Sequence, residues 1–178
     1  MKTLVIVSHP DLLNSRINKR WVEELNKYNK EITVHDIYKE YPDGNINVAR
    51  EQALVEEHSS IIFQFPLQWF STPPLLKKWL DDVLSYGWAY GSTGKALVER
   101  NIGLAISAGI RKRDFHEEGK YKFTLEEITV PFKATALYTG ATFLPTFAVY
   151  GAESELSDQE VEQSAPEYVS HIFNQAKV

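Results

Sequence analysis

The sequence predicts an α/β fold in which helices cover both faces of a five-stranded parallel β-sheet. Short apolar runs, rich in β-branched and aromatic residues, alternate with segments of helical periodicity along the whole chain. The connections are short, and parallel strands joined in this way need crossover helices on the faces of the sheet. No repeat, linker or low-complexity tract divides the sequence. We therefore expect residues 1–178 to form a single domain with the strand order 2-1-3-4-5.

Each element has its own signal. The predicted strands are residues 3–7, 32–37, 60–65, 101–107 and 142–150. The first helix is predicted by apolar residues at spacings of four, four and three, which are Ile17, Trp21, Leu25 and Tyr28. Asn14 or Ser15 is its expected N-cap. Residues 38–47 resemble a loop because they contain Pro-Asp-Gly, and residues 48–58 form the second predicted helix.

Prolines, glycines and capping boxes delimit the later helices. The pair Pro73-Pro74 begins a helix after the third strand, since proline is tolerated in the first turn. The capping boxes Thr124-x-x-Glu127 and Ser157-x-x-Glu160 begin two further helices. Gly140 is expected to end the first of these, and Pro166 to break or bend the second.

The composition excludes several classes of function. The chain has no cysteine, which excludes disulfides, thiolate metal sites and a cysteine nucleophile. Its net charge of −5 makes it a poor candidate for binding nucleic acid or an anionic membrane. No apolar run is long enough to span a bilayer, and the N-terminus leads directly into a strand, as a secretory signal would not. We therefore expect a cytoplasmic protein without a metal site.

The ligand site of such a sheet lies beyond the carboxyl ends of the strands, where strands 1 and 3 diverge. Three segments leave the sheet at this edge, namely residues 8–18, 66–72 and 107–122. The first leads into a helix N-terminus, whose free N–H groups favour a phosphate. Ser15 and Asn18 add donors, and His9 or Arg16 adds a positive partner. The alternative for this segment is simple helix capping.

The other two segments suit a flat ring. Residues 66–72 place Trp69 and Phe70 in a strand-to-helix loop, where polar turn residues are usual, and the alternative is a loop folded into the core. Gly109 would let the backbone approach a ring closely, unless it serves only as a turn. The basic cluster 111–113 suits a nucleotide phosphate or, as the alternative, a solvated loop.

A hydrolase is the competing enzymatic interpretation of the same region. The stretch Ala105-x-Ser107-x-Gly109 is similar to a degraded nucleophile elbow. Asp158 and His171 follow in the order that a serine triad of this type needs. This hypothesis requires Ser107, Asp158 and His171 to meet in space.

Several motifs together resemble one family, the flavodoxin-fold NAD(P)H:quinone oxidoreductases. Within it, the chain looks most like the ancillary reductases of glutathione-gated potassium efflux systems. The resemblance covers nearly the whole chain. The matching motifs are Ser8-His9-Pro10, Pro66-x-Gln68-Trp69-x-Ser71-x-Pro73-Pro74, Gly87-Trp88-Ala89-Tyr90-Gly91, Phe132-x-Ala134-Thr135-Ala136 and Leu144-Pro145.

The resemblance implies a flavodoxin-like fold and a non-covalently bound flavin, FMN or FAD, with FMN favoured by the nearer subfamily. It implies two-electron hydride transfer from NAD(P)H to a quinone in a ping-pong order, and a homodimer with the 88–91 loop at its contact. The residues that would hold the flavin phosphate are His9, Ser15, Arg16, Ile17 and Asn18. Those that would surround its ring are Pro66, Leu67, Gln68, Trp69, Phe70, Ser107, Ala108, Gly109 and Ile110.

The chain departs from the family pattern after the fourth strand. The usual Thr-Thr-Gly-Gly is replaced by Ser107-Ala108-Gly109-Ile110, which removes a hydroxyl and a glycine. Phe115 stands where the best-known quinone reductases have a tyrosine that assists hydride transfer. His116 and Tyr121 are therefore the candidates for that catalytic role.

Two other functions are compatible with the same fold. The first is a regulatory subunit that docks on a potassium-efflux membrane protein at the inner face of the membrane, with reductase activity secondary. The second is a one-electron flavodoxin carrier. The aromatic loop and the lack of a strongly acidic face near the flavin argue against the carrier.

Overall fold

The computed structural model describes residues 2–153 and 156–175, in which strands and helices alternate along most of the chain. The strands are Thr3–Val7 (β1), Ile32–Asp36 (β2), Ser60–Pro66 (β3), Asn101–Ser107 (β4), Thr142–Phe143 (β5) and Phe147–Val149 (β6). The α-helices are Ile17–Leu25 (α1), Ile37–Glu40 (α2), Val48–Glu56 (α3), Pro74–Val83 (α4), Leu125–Ile128 (α5), Val130–Thr139 (α6) and Asp158–Gln175 (α7).

The strands form one parallel sheet in the order β2-β1-β3-β4-β5, which confirms the predicted fold class and order. A sixth strand, β6, also pairs with β4 and is additional to the prediction. β1 lies centrally, and its Val5 pairs with Val34 on one side and Ile62 on the other. Because β1 is covered on both faces, all five of its residues are buried.

Alternate residues of the sheet build two separate cores. Leu4 and Ile6 point to one face, where α3, α4 and α6 cover the sheet. Val5 and Val7 point to the opposite face and pack against α1 and α7. This alternation is the period of two expected for a strand, and it explains why the apolar runs of the sequence are continuous.

The predicted fifth strand, residues 142–150, is wrong in its extent. The structure divides it into β5 and β6, which both pair with β4. Pro145 lies between them, and a proline has no backbone N–H to donate to the strand ladder.

Two other boundaries differ from prediction. The predicted loop 38–47 begins with the short helix α2, because the Asp36 carboxylate accepts the N–H groups of Tyr38 and Lys39. The helix that begins at the Thr124 capping box is divided at Thr129 into α5 and α6. Pro131 explains this division, since it lacks the N–H that would continue the helical ladder. Gly140 ends α6 in a left-handed conformation, as predicted.

Pro166, predicted to break or bend the last helix, does not break it, because α7 continues through it. Pro166 lies on the exposed side of α7, where water can bond the carbonyl that loses its helical partner. The buried side packs Ala165 and Tyr168 against the sheet and α1. Within the described residues, no helix combines the length and apolarity that crossing a bilayer requires.

Candidate functional site

A cleft of about 350 Å³ opens at the carboxyl ends of β1, β3 and β4. Its size is in the usual range for small-molecule sites. The lining residues are His9, Asn14, Ser15, Arg16, Ile17, Asn18, Pro66, Leu67, Gln68, Ser107, Gly109, Ala152 and Glu153. The three segments expected at this edge of the sheet therefore do meet there.

The N-terminus of α1 forms one wall of the cleft. Ser15 is extended and its hydroxyl accepts the backbone N–H of Asn18, at 3.1 Å. This is the geometry of an N-cap, so the capping alternative describes the Ser15 side chain correctly. Capping and ligand binding are compatible here, because the other N–H groups of a first helical turn have no acceptor within the helix.

His9 offers a neutral donor beside that helix end. Its Nδ1 accepts the backbone N–H of Asp11, at 3.1 Å. In the neutral ring the proton therefore sits on Nε2, which is free to act as a donor. Partial burial lowers the pKa of His9, against the opposing effect of Asp11 and Asp36. At neutral pH, His9 is thus expected to contribute a hydrogen bond to a ligand and not a full positive charge.

The guanidinium of Arg16 is bound by residues at the start of α7 and just before it. Its Nη2 lies 2.7 Å from Asp158 Oδ1 and 2.7 Å from the carbonyl oxygen of Leu156. Its Nε also donates to Asp158. Arg16 therefore links α1 to the start of α7, and its charge is shared with a carboxylate.

The aromatic loop after β3 is a tight and strained turn. Gln68 and Ser71 exchange two backbone hydrogen bonds, and Trp69 and Phe70 between them have φ of 49° and 59°. Two positive φ values in a two-residue turn favour Asn and Gly, so bulky aromatic residues are strained there. The side chain of Trp69 is 95% exposed, which contradicts the alternative that this loop folds into the core. Neither aromatic residue lines the cleft itself.

The backbone after β4 approaches the cleft closely at Gly109. The N–H of Ala108 donates to Val149, and the N–H of Gly151 donates to Ile110, so this segment is held against the chain that follows β6. A Cβ at position 109 would lie 2.6 Å from the carboxyl carbon of Glu153. A larger residue at this position would therefore displace the exposed Glu153 side chain.

Three lining residues were not expected from the sequence, namely Asn14, Ala152 and Glu153. The last two follow β6 and so leave the sheet at the same edge as the predicted segments. The rule that ligands bind beyond the carboxyl ends of strands would have found them. Asn14 lies in a short 3-10 turn, and its side chain donates to Asp11.

The two catalytic candidates are placed differently. The ring of Tyr121 contacts the ring of Phe70, with centroids 5.1 Å apart, and the ring of Phe115, at 6.3 Å. This contact connects the 111–122 loop to the strained turn. His116 is exposed, and its Nδ1 accepts the N–H of Glu118. Neither residue lines the cleft.

The predicted serine triad is wrong. Ser107 Oγ accepts from the side-chain amide of Asn18, and Asp158 pairs with Arg16. His171 Nε2 donates to the carbonyl oxygen of Pro145. Each of the three side chains is held by a different partner, so no nucleophile–base pair forms.

Curated relatives share most of the chain. It is 48% identical over 172 residues to the uncharacterized NAD(P)H oxidoreductase YrkL of Bacillus subtilis, covering 97% of this chain and 98% of that protein. It is 40% identical over 147 residues to the glutathione-regulated potassium-efflux system ancillary protein KefF of Salmonella arizonae, covering 83% and 82%.

Solved structures of similar sequence have the same fold as this chain. General stress protein 14 from Treponema denticola, in complex with FMN, superposes with a TM-score of 0.92 at 45% identity, over 96% of this chain and 97% of that one. An NADPH-quinone reductase from P. pentosaceus gives a TM-score of 0.84 at 31% identity, over 94% and 97%. A family model described as a flavodoxin-like fold matches residues 1–172. The resemblance drawn from the sequence motifs is confirmed, and the chain belongs to the flavodoxin-like family.

Proposed function

We propose that the protein is an FMN-dependent oxidoreductase that transfers a hydride from NAD(P)H to a quinone or a related electrophile. The observation that carries the proposal is the cleft, where a helix N-terminus and the ends of three parallel strands converge. The names of the relatives support it, since they include NAD(P)H oxidoreductases, an FMN complex and an NADPH-quinone reductase. FAD is the alternative cofactor.

The residues at one end of the cleft fit a phosphate. The first N–H groups of α1 and its dipole attract an anion. His9 Nε2–H adds a donor, because His9 Nδ1 accepts the backbone N–H of Asp11. Asn18 and Ser15 hold the turn in shape through their mutual hydrogen bond. These residues would bind FMN by its phosphate, and Arg16 would contribute only part of its charge because of Asp158.

The residues at the other end fit a flat ring. Gly109 has no Cβ to obstruct a ring plane, and Glu153 borders it. Leu67 and Pro66 add apolar wall. The exposed Trp69 and Phe70 directly follow the lining residue Gln68, and there they would shield a reacting pair from water. Bound FMN supplies the two-electron hydride chemistry, and the protein contributes alignment and exclusion of water.

A visible absorption spectrum tests the proposal directly. The protein is mixed with FMN, desalted, reduced anaerobically with NADPH and then given a quinone. A retained flavin band that bleaches and recovers supports the proposal. Initial rates at varied NADPH and quinone should give parallel double-reciprocal lines, because we propose that the two substrates use the same space in turn. Failure to retain either flavin contradicts the proposal.

Trp69 is proposed to shape the ring site. Because its side chain is almost fully exposed, Trp69→Ala should leave the fold intact while weakening flavin retention. Equilibrium dialysis of FMN and a circular dichroism melt separate these two effects. A folded Trp69→Ala variant that retains flavin as well as the wild type would contradict this role.

Tyr121 and His116 are proposed as the groups that assist hydride transfer. Tyr121→Phe keeps the ring against Phe70 and removes only the hydroxyl. If that hydroxyl moves a proton, kcat should fall by about 100-fold or more while FMN binding is unchanged. His116→Gln provides the parallel test. The basic cluster 111–113 is proposed to favour NADPH over NADH, which the ratio of kcat/KM for the two donors measures.

A homodimer is proposed through an exposed aromatic face. Tyr86, Leu137 and Tyr138 are largely exposed, and Tyr90 of the 88–91 loop contacts both tyrosine rings, with centroids at 5.7 and 5.4 Å. Exposed apolar clusters of this kind commonly bind another protein surface. Light scattering should show twice the chain mass, and Tyr138→Lys should give a monomer. Leu13→Lys, at an exposed apolar residue outside this aromatic face, is the matched control and should leave the dimer intact.

A regulatory role at a potassium-efflux protein is the second candidate. The observation in its favour is the 40% identity to KefF, an ancillary protein of such a system. On this hypothesis the protein is cytoplasmic and peripheral to the membrane through its partner. Co-purification with a potassium-efflux protein from the same cell would support it. If reductase activity is present and no such complex forms, the enzymatic function stands alone.

A further inference from the structure

Three buried polar side chains form a hydrogen-bonded series beneath the cleft. Gln64 of β3 is 0% exposed, Asn18 of α1 is 1% exposed, and Ser107 of β4 is 6% exposed. Gln64 Nε2 lies 3.1 Å from the carbonyl oxygen of Asn18 and 3.3 Å from its Oδ1. Asn18 Nδ2 lies 2.8 Å from Ser107 Oγ. The series therefore runs from the centre of the sheet to the wall of the cleft.

The direction of each bond in the series follows from the first one. Both atoms that face the Gln64 amide are acceptors, so only its nitrogen can point toward them. This holds Asn18 Oδ1 toward Gln64 and leaves Nδ2 as the donor to Ser107. Ser107 Oγ is then an acceptor inside the protein. Its own hydrogen is directed elsewhere, and Ser107 lines the cleft.

We propose that Gln64 is a positioning residue, which acts through Asn18 to direct the hydroxyl hydrogen of Ser107 into the cleft, toward an oxygen acceptor of the bound flavin. The proposal rests on the proposed function. A hydroxyl whose rotation is already restricted binds an acceptor with a smaller loss of entropy. The series also explains how one serine can serve after β4, where the family pattern has two threonines.

Gln64 is also a poor choice for stability. It interrupts the otherwise apolar interior of β3, and its Oε1 has no hydrogen-bond partner among the described residues. A buried acceptor without a hydrogen-bond partner destabilises the folded state. An apolar side chain of the same shape removes this unpartnered acceptor but also takes the donor from Asn18 Oδ1, so the two effects on stability should largely cancel. A purely structural role for Gln64 predicts instead that this replacement clearly destabilises the fold.

The experiment measures FMN affinity and stability in the same variants. Gln64→Met and Ser107→Ala should each weaken FMN binding by about 5- to 10-fold, the value of one neutral hydrogen bond. The double variant should be no weaker than either single one, because both changes remove the same bond. The urea midpoint of Gln64→Met should be close to that of the wild type, because the loss of the unpartnered Oε1 offsets the loss of the donor to Asn18 Oδ1.

Matched controls isolate the series. Gln52 also donates its side-chain amide to two acceptors, Val83 O and Ser85 Oγ, but it lies on α3 outside the cleft. Gln52→Met should leave FMN affinity unchanged. Ser107→Thr keeps the hydroxyl and should retain most of the affinity. If Gln64→Met does not fold, Gln64→Leu replaces it.

Each outcome decides the proposal. Multiplicative losses of affinity in the double variant would show that Gln64 and Ser107 act independently and would overturn it. Wild-type affinity in Gln64→Met, or a loss of affinity that only accompanies a loss of stability, would overturn it also. In each of these cases the wild-type protein still binds FMN, so the proposed function is retained. Absence of FMN binding by the wild-type protein would overturn both.

Discussion

Replacement of Glu51 by alanine is expected to destabilise the protein severely. Glu51 lies on α3 and is completely buried. Its carboxylate accepts from His35 Nε2 at 2.9 Å, from the Tyr41 hydroxyl at 2.5 Å and from Trp79 Nε1 at 2.7 Å. It therefore connects β2, α3 and α4, and α4 directly follows the aromatic turn of the site.

The magnitude follows from the partners that the substitution leaves. A buried donor that loses its acceptor costs about 1–3 kcal/mol, and here three buried donors lose theirs. This is a large part of a typical free energy of unfolding of about 5–15 kcal/mol. With a urea dependence of about 2 kcal/mol per molar, a loss of about 4 kcal/mol lowers the midpoint by about 2 M.

The pH dependence gives the effect a second signature. Burial opposes ionisation of Glu51, but the hydrogen bonds from His35, Tyr41 and Trp79 outweigh it and bring its pKa below the ordinary 4.5. Burial and the hydrogen bond to Glu51 raise the pKa of Tyr41 to about 12. A carboxylate with a lowered folded pKa stabilises the protein above its unfolded pKa. The difference in free energy of unfolding between the wild type and Glu51→Ala should therefore shrink as the pH falls below 4.5 toward the pKa of Glu51 in the folded protein.

Urea unfolding followed by circular dichroism at pH 7 is the assay. Glu56→Ala is the matched control, because Glu56 lies on the same helix and its exposed carboxylate, among the described residues, accepts a hydrogen bond from Trp88 alone. It should cost no more than about 1 kcal/mol. A midpoint for Glu51→Ala within 0.5 M of the wild type, by the same slope of about 2 kcal/mol per molar, would refute the reasoning.

Three further changes test other parts of the structure. Pro166→Ala should raise the free energy of unfolding by about 1–3 kcal/mol, because alanine is the better residue inside the continuous helix α7. An unchanged urea midpoint would contradict this. The double variant Trp69→Asn/Phe70→Gly should stabilise the fold by about 1–2 kcal/mol, because Asn and Gly accommodate positive φ values better, and it should retain flavin less well. A double variant that melts at a lower temperature than the wild type would show that the turn is not strained. Asp158→Ala should remove the carboxylate that shares the charge of Arg16 and tighten FMN binding about 3-fold at low salt, with the gain lost at high salt. A weaker affinity would mean that the pair positions α1 instead.

The sequence and the structure agree where local chemistry is decisive. β1 and β4 have the predicted bounds, because a continuous apolar run is only stable when buried on both sides. The capping box at Thr124 is formed as expected, with both of its reciprocal hydrogen bonds. Disagreement arises at prolines, since the effect of Pro145 or Pro166 depends on whether the freed carbonyl finds water or another partner.

Most of the candidate site was also accessible from the sequence. The strand order determines which loops meet, and the cleft contains ten of the fourteen residues expected to hold a flavin, all but Trp69, Phe70, Ala108 and Ile110. Their role as flavin ligands stays a prediction. Tertiary structure decided how those residues are used. Arg16 is bound by Asp158, distant by 142 positions in the chain, and the three supposed triad residues have separate partners.

The sequence by itself determined the sheet, its order and the edge at which the cleft opens, because periodicity and short connections are properties of neighbouring residues. Only the tertiary structure placed the Glu51 carboxylate among its three donors and linked Ser107 to Gln64 through Asn18. These contacts join residues from different elements. Their geometry depends on packing across the whole sheet, so no local pattern of sequence can specify which polar atoms meet.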